Sequence, residues 1–483
     1  MRFEPRTNQN LPPELSRLRS FLPELVAEAR RSVPFASVLV TSRQGQVVVK
    51  ATSDERVNPL PPDPGMRITV WDGATFHSLA TNHLEDHDEL VRLTRELARS
   101  VKPGPGPVPE SGPAADRHFV SVGVKPPSDS DVQARKATCE QVYEELIRTD
   151  PRISSAQVAY RWEREFRLFC DGTQLLSSEI NLVVLAVWVF AGQDNRQVSN
   201  FAFLSGTGHE VADRATTAWA KETAEQAIAH LSAGRVSPGE HVVILDPNLA
   251  GTLAHESFGH GCELDTMMRG AARALHYIGR RVGSDLVNIV DFPGRPGCNG
   301  SVFFSDDGVL AEEPVVLVRN GILQPTMMCD RYSFLVMKDR LPGLKQSASG
   351  RLESWNHPIY ARMTNTYFEP RPAELGGMTR DQMIADTERG ILLEQPISGM
   401  EDPLGWGVQL QIIRGREIEQ GRLTGRLFYQ IGATGYVPDV LTSVDRVGTE
   451  LNLESAGLCG KGRKEWVRNA TGGPFIRCRM KLG

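Results

Sequence analysis

HVVILDPNLAGTLAHESFGHGCELD, residues His241 to Asp265, carries a strand, a capped helix start and a candidate metal motif in succession. The run HVVILD is apolar and β-branched, as a buried strand requires. Asp246-Pro247-Asn248 then supplies a capping side chain and a proline suited to the first helical turn. The helix that follows carries His255 and Glu256, with His260 five positions after the first histidine. A helical His-Glu pair suits metal-assisted hydrolysis, because a neutral imidazole nitrogen binds zinc while the carboxylate stays free as general base. In the familiar HExxH pattern the histidines are four apart and share a face. Five residues place them roughly 140° apart on an ideal α-helix, too far round to share one ion. Two local distortions repair this. A π-bulge brings positions i and i+5 nearly into line; alternatively the helix ends at Gly259 or Gly261 and frees the backbone to turn His260 back. On spacing alone, a partly buried structural histidine pair remains the competing reading.

A catalytic zinc also needs a third protein ligand and an open position. Local candidates are Cys262, Glu263 and Asp265; a distant one is Cys459 in LESAGLCGKGRK. Cys459 lies between Gly457 and Gly460 and close to Lys461, a setting in which a thiolate forms readily. A small buried hydrophobe is the alternative for that cysteine. Spacing does not choose among them.

The rest of the composition narrows the class. The chain has 483 residues, 40% hydrophobic and 23% charged, long enough for two or three domains. Its net charge of −5 offers no general attraction to nucleic acid or acidic membranes. MRFEPRTNQNLPPELSRLRS lacks the apolar core of a secretory signal, and LVVLAVWVFA (Leu182–Ala191) is too short for a membrane span. The seven cysteines are scattered without a CxxC pair, which argues for free thiols and a cytoplasmic protein.

Periodicity predicts a helix over Pro13–Ser32, kinked or restarted at Pro23, and a hairpin over Ser37–Ala51 turning at Gln44-Gly45. A strand near Met66–Val70 and a helix near Asp86–Val101 follow, then the proline-rich Lys102–Pro113, which cannot be regular. Asp129–Thr149 reads as helix and Ser154–Phe203 as successive strands with a turn at Asp171-Gly172. Val211–Ala233 reads as helix, and Ser232–His241 as a boundary. Beyond it short strands dominate, with a hairpin turn at Asn320-Gly321, and only Thr379–Gly390 adds a helix to the metal-motif one. The expected class is α+β. A domain of helices and antiparallel strands over 1–236 joins a mainly antiparallel β domain, carrying the metal-binding helix, over 237–483. No internal repeat is present.

Four stretches taken together resemble the TldD/PmbA family of metallopeptidases: HESFGHG (His255–Gly261), VRNGIL (Val318–Leu323), GRLESWNHPIYARMTNTY (Gly350–Tyr367) and GLCGKG (Gly457–Gly462). The resemblance covers the C-terminal half well and the N-terminal half in outline. It implies one zinc ion held by His255, His260 and Cys459, with Glu256 as base. It further implies a two-subunit assembly in which this chain, retaining all four positions, is the TldD-like metal-bearing member. The partner would be a metal-less TldE/PmbA-like sibling, a homodimer being the alternative. Unfolded peptides and small modified peptide precursors are the substrates it implies. The chain departs from the family at Cys262, in DTMMRGAARALHYIGRRVGSD (Asp265–Asp285) and in the tail after Lys464. These segments border the motif, so a specialised peptide-like biosynthetic intermediate is a second substrate class.

The expected chemistry is amide hydrolysis, with Glu256 activating a water and returning its proton to the leaving amine. A β-rich domain can hold a peptide as an added strand, reading backbone rather than side chains. Arg351 and Arg362 are candidates to grip a substrate carboxylate, against the ordinary reading as structural ion pairs. A serine hydrolase is disfavoured by the lack of GxSxG, and no Rossmann or P-loop fingerprint follows a strand. The rival of another class is a regulatory or nucleic-acid-binding protein, suggested by Lys461, Arg463, Lys464, Arg468, Arg477, Arg479 and Lys481 in the tail.

Overall fold

The computed structural model describes residues 11–121, 125, 131–461 and 464–483, leaving aside the side chains of 464 and 465. An eight-stranded sheet comes first. It contains β1 (Phe35–Ala51), β2 (Asp54–Leu60), β3 (Gly65–Trp71), β4 (Phe76–Thr81), β5 (Ala115–Val120), β6 (Ile153–Cys170), β7 (Gln174–Gln193) and β8 (Arg196–Gly206). The order is β4-β3-β1-β6-β7-β5, with β2 also on β1 and β8 on β7. All pairs are antiparallel except β5 with β7. Strand alternation sends Val38, Val40, Met66, Ile68 and Val70 to one face. There they pack with Leu18, Leu22 and Leu25 of α1 (Pro13–Ala29) and Leu90 of α2 (His87–Ser100). α3 (Val132–Arg148) and α5 (Thr217–His230) cover the β6–β8 region; the short α4 (Val211–Arg214) precedes α5.

Several local expectations change. β1 runs straight through Gln44-Gly45, and the hairpin turn lies between β1 and β2, at Thr52-Ser53. A Cβ on Gly45 would stand 2.2 Å from the Trp162 carbonyl oxygen, so this glycine permits close approach of β6 and does not make a turn. Pro23 is accommodated inside one continuous α1. The helix expected over Val211–Ala233 is broken before Thr216, whose hydroxyl caps α5 by accepting the Trp219 N–H. Lys102–Pro113 is free of helix and strand, as its prolines require. The start expected at Asp129 lies outside the described residues. Among the described residues no helix is long and apolar enough to cross a membrane.

β9 (Gly239–Leu245) leads into α6 (Pro247–Ala254), with Asp246 accepting the Leu249 N–H as cap. After α7 (Leu264–Met268) the strands are short: β10 (Ile289–Asp291), β11 (Val315–Arg319), β12 (Ile322–Leu323), β13 (Gly350–Arg351), β14 (Tyr360–Ala361) and β15 (Asn365–Phe368). Longer ones follow in β16 (Arg389–Asp402), β17 (Gly407–Glu419) and β18 (Arg422–Tyr436), then β19 (Arg446–Val447), β20 (Gly457–Lys461), β21 (Lys464–Gly472) and β22 (Ile476–Leu482). One sheet has the order β12-β11-β10-β15-β21-β20. Another has the order β18-β17-β16-β9-β22-β19 and closes into a ring because β18 also pairs with β22. Asn320 and Gly321 both take positive φ in the β11–β12 turn, which is what a two-residue hairpin of this kind demands. The helix expected over Thr379–Gly390 shrinks to α9 (Arg380–Ala385), capped by Thr379, because Arg389 already begins β16. α8 (Arg331–Met337) and α10 (Val437–Thr442) were not foreseen; helices of six or seven residues leave little periodic pattern.

α6 is wedged between the two sheets, against β16 and β17 on one side and β15 and β21 on the other. Gly251 makes this possible, since a Cβ there would fall 2.0 Å from the Gly472 nitrogen. Buried charges tie the halves of the chain together: Arg468 on β21 meets Glu163 and Glu165 on β6, and Arg167 meets Asp306. Part of the basic cluster in the tail is thereby paired. Arg468 and Arg477 are both committed to carboxylates, and Arg463 lies outside the described residues. Gly251→Ala should lower unfolding free energy by about 1–3 kcal/mol, the usual cost of overpacking. Urea denaturation measures it, and an unchanged midpoint would contradict the close contact of helix and strand.

Candidate metal centre

α6 does not stop at Ala254. Residues His255–Gly259 form a π-turn, in which the His260 N–H donates to the His255 carbonyl oxygen. A single tight turn, His260–Cys262, then ends the helix. The distortion that five-residue spacing requires is thus present, and it is followed at once by helix termination. The two imidazole centroids come to 4.9 Å with their planes at 86°. A Cβ on Gly259 would lie 2.1 Å from the Met363 sulfur, so the residue between Phe258 and His260 has no room for a side chain.

β20 delivers Cys459 to the same place from 199 residues away, its Sγ 3.2 Å from His260 Nε2. Donor atoms of His255, His260 and Cys459 all lie within 4.8 Å of one another, and all three residues are buried. Around them sits a set of orienting groups. Glu263 lies 3.2 Å from His260 Nδ1. The Asn469 side-chain amide is 3.3 Å from His255 Nδ1. Arg362 donates to the Cys459 carbonyl oxygen at 2.9 Å and to its Sγ at 3.1 Å, and through Nε to Glu263 at 3.2 Å. Lys461 Nζ reaches Glu263 at 3.2 Å and Asp265 at 2.6 Å.

Charge dominates this cluster. Burial opposes ionisation of the Cys459 thiol, but His255 and His260 outweigh it and hold the thiol well below its ordinary range. Burial likewise disfavours charge on His260, and the Cys459 sulfur and Glu263 overcome it. Glu263 would be raised by burial; Lys461, His260 and Arg362 instead keep it ionised. Glu256 goes the other way. Burial pushes it up to about 7 against the pull of His255, helped by a hydrogen bond with Glu401. Glu256, His260 and Glu401 also offer atoms within 4.8 Å of one another. The glycine at 399 leaves space for the Glu256 side chain, since a Cβ there would be 2.6 Å from the Glu256 Cγ.

Two imidazoles and a thiol inclined to ionise form a donor set that suits a zinc-like ion. A metal needs neutral rings and a thiolate, so its uptake displaces the protons the cluster holds. The other sequence candidates fall elsewhere. Cys262 is fully buried in the hydrophobic core, its thiol pushed up by burial. Glu263 and Asp265 serve as partners of His260 and Lys461. Arg351 donates to the carbonyl oxygens of Met363 and Arg468, and burial beside Arg167 and Arg468 pushes it down to about 9. Arg362 and Arg351 are both turned inward, with intramolecular partners. Glu401 and Asn469 were not recognised from sequence as parts of the site. Lys461, read from sequence as a neighbour favouring the Cys459 thiolate, is instead paired with Glu263 and Asp265; Glu401 and Asn469 come from distant strands that no local pattern links to His255.

Residues 238–482 match the model of the PmbA/TldA metallopeptidase C-terminal domain. A metalloprotease from Methanocaldococcus jannaschii is 29% identical over 362 residues, covering 74% of this chain and 76% of that one. A metalloprotease TldD homolog from Haemophilus influenzae is 30% identical over 326 residues, 65% of this chain and 64% of its own. A zinc metalloprotease TldD homolog from Saccharolobus solfataricus is 30% identical over 247 residues, 51% of this chain and 52% of its own. Among solved structures, a putative modulator of a DNA gyrase from Thermotoga maritima matches with a TM-score of 0.75 at 15% identity, covering 96% of this chain and 100% of that one. TldE from Thermococcus kodakarensis matches at 0.71 and 14% identity, covering 97% and 100%. These structural likenesses establish the fold. The chain belongs to the PmbA/TldD family and is a metallopeptidase.

Glu263→Gln removes the charge that faces His260 Nδ1. Metal affinity should fall about 10–100-fold, the usual effect of losing an outer partner of a metal-bound histidine. Competition with a chromogenic chelator measures it, and unchanged affinity would show that this carboxylate does not orient the ring.

Proposed function

We propose that the protein hydrolyses peptide bonds in unfolded or small modified peptides with one zinc ion held by His255, His260 and Cys459. The observation that carries the reading is the convergence of those three donors within 4.8 Å, beside a buried Glu256. Bound zinc would supply Lewis acidity, which acidifies water and polarises a scissile carbonyl. The protein's own contribution is proton handling and alignment. Glu256 takes a proton from the attacking water and returns it to the leaving amine nitrogen, a task suited to a carboxyl whose affinity for protons has been raised. Glu401 stands where it can share that proton with Glu256. Arg362 and Glu263 keep Cys459 and His260 in place through the cycle.

The peptide has a natural position on β16. Its first half is flanked by β9 at Ile391–Leu393, whereas Pro396–Asp402 has β17 as its one strand partner among the described residues. A peptide added along that edge would pass Gly399, and therefore Glu256. Backbone pairing of this kind tolerates many side chains, which suits broad specificity. The likeness to TldE supports pairing with a metal-less TldE/PmbA-like sibling, a homodimer being the alternative.

Purified protein should hold about one zinc equivalent per metal-bearing chain. Glu256→Gln should keep that metal and lose hydrolysis by at least about 10²–10⁴-fold, the contribution of a general base. Cys459→Ala should lose both. Metal analysis beside a peptide-cleavage assay reads all three; full metal content in Cys459→Ala would remove this cysteine from the ligand set.

A further inference from the structure

Apart from the metal cluster, a cavity of about 490 Å³ lies between the N-terminal sheet and the C-terminal half. Its floor is the face of β1, β3 and β4 that does not pack on α1 and α2. Ser37 stands opposite Thr69 and Leu39 opposite Arg67, while Thr69 also faces Ser78. Alternation along β3 therefore turns Arg67 and Thr69 into the cavity while Met66, Ile68 and Val70 serve the core. Met268, Tyr332, Pro358 and Ile359 form the opposite, largely apolar wall. A space of this volume accepts one or two amino-acid residues.

The charges lining it are not equivalent. Asp265 accepts from Lys461 and Arg269, and Asp306 from Arg167 and the Leu352 N–H. Asp307 accepts from the Arg331 N–H and the Ser305 hydroxyl, and Asp330 from the Ser333 N–H. Arg331 in turn donates to the carbonyl oxygens of Glu110 and Asp307. Burial pushes Asp330 up to about 7, which weakens its repulsion of an incoming anion. Arg67 stands apart. Among the described residues no hydrogen bond or ion pair engages its guanidinium, although burial pushes its pKa down. A half-buried cation facing the apolar wall of a cavity, where the other charges already have partners, is stabilised by an anion that offers paired oxygens to the guanidinium fork.

We propose that this cavity is a subsite for a free carboxylate on an apolar residue, the C-terminal residue of a peptide, with Arg67 as the counter-ion. The carboxylate site stands on the cavity itself; the peptide as its carrier rests on the metallopeptidase reading. The place is apt, because Asp265 on the cavity wall is bonded to Lys461, which also holds Glu263 beside His260. A peptide end seated here lies against the groups that align a metal ligand.

Calorimetric titration tests the proposal with N-acetyl-phenylalanine and its C-terminal amide as probes, on metal-loaded Glu256→Gln protein so that hydrolysis plays no part. The acid should bind at least about tenfold more tightly than the amide, the worth of a charge-assisted pair. Arg67→Gln should bring the acid down to the level of the amide and leave the amide unchanged. Equal binding of acid and amide overturns the proposal. So does acid binding that survives Arg67→Gln, as it would if the metal captured the carboxylate. Ser78→Trp, at an exposed position on β4, fills the cavity mouth and should abolish acid binding even where the arginine variant folds poorly; retained binding there contradicts the site. Failure of the zinc assignment would show as lost metal with the acid–amide difference intact.

Discussion

The backbone hydrogen bond from His260 N–H to the His255 carbonyl oxygen underlies the geometry of the whole centre. An i→i+5 bond is a poor choice for an isolated helix, because the wider turn loosens packing along the axis. It persists here where the surroundings leave little alternative. Gly251 lets the helix press onto β21, Gly259 lets the turn press onto Met363, and Glu263 is anchored by Arg362, Lys461 and the Met363 N–H. Once the turn is widened, both imidazoles face one point, and the closed sheet on one side and the β15–β21 sheet on the other hold it there. A regular α-helix through the same residues would carry His260 away from Cys459.

The second constraint is electrostatic. Burying two histidines, a thiol, two glutamates, a lysine and an arginine together is costly unless each charge has a counterpart. The counterparts form a chain: Cys459 with His255 and His260, His260 with Glu263, Glu263 with Arg362 and Lys461, and Lys461 with Asp265. Glu256 is outside that chain. Burial raises its proton affinity against the pull of His255 and His260, and the neighbouring Glu401 carboxyl adds to the rise. One buried pocket thus holds one carboxylate ionised and raises the proton affinity of another.

Much of this was legible locally and little of it at long range. The strand, the Asp246 cap and the need for a distorted helix between Glu256 and His260 can be read from His241–Asp265, because caps and helical spacing are properties of neighbouring residues. Gln44-Gly45 misled for the same reason: a Gly inside a strand pattern signals either a turn or a close approach, and only the partner strand carrying Trp162 decides. Cys459 could not be chosen over Cys262 by spacing, since Cys262 lies two positions from His260 yet points into the core. Arg351 and Arg362 could be read in sequence as grips for a substrate carboxylate or as structural ion-pair partners; burial assigns them to carbonyl oxygens and to Cys459. Glu401 and Asn469 arrive through sheet pairings that a linear pattern does not encode.

X-ray absorption at the zinc edge of the purified protein tests the central claim most directly, because it counts ligand types without depending on any substrate. The account predicts one sulfur at about 2.3 Å and two imidazole nitrogens at about 2.0–2.1 Å, with the remaining position taken by a light atom. A shell without sulfur, or with two sulfurs, would contradict the assignment of His255, His260 and Cys459 as the metal-binding set.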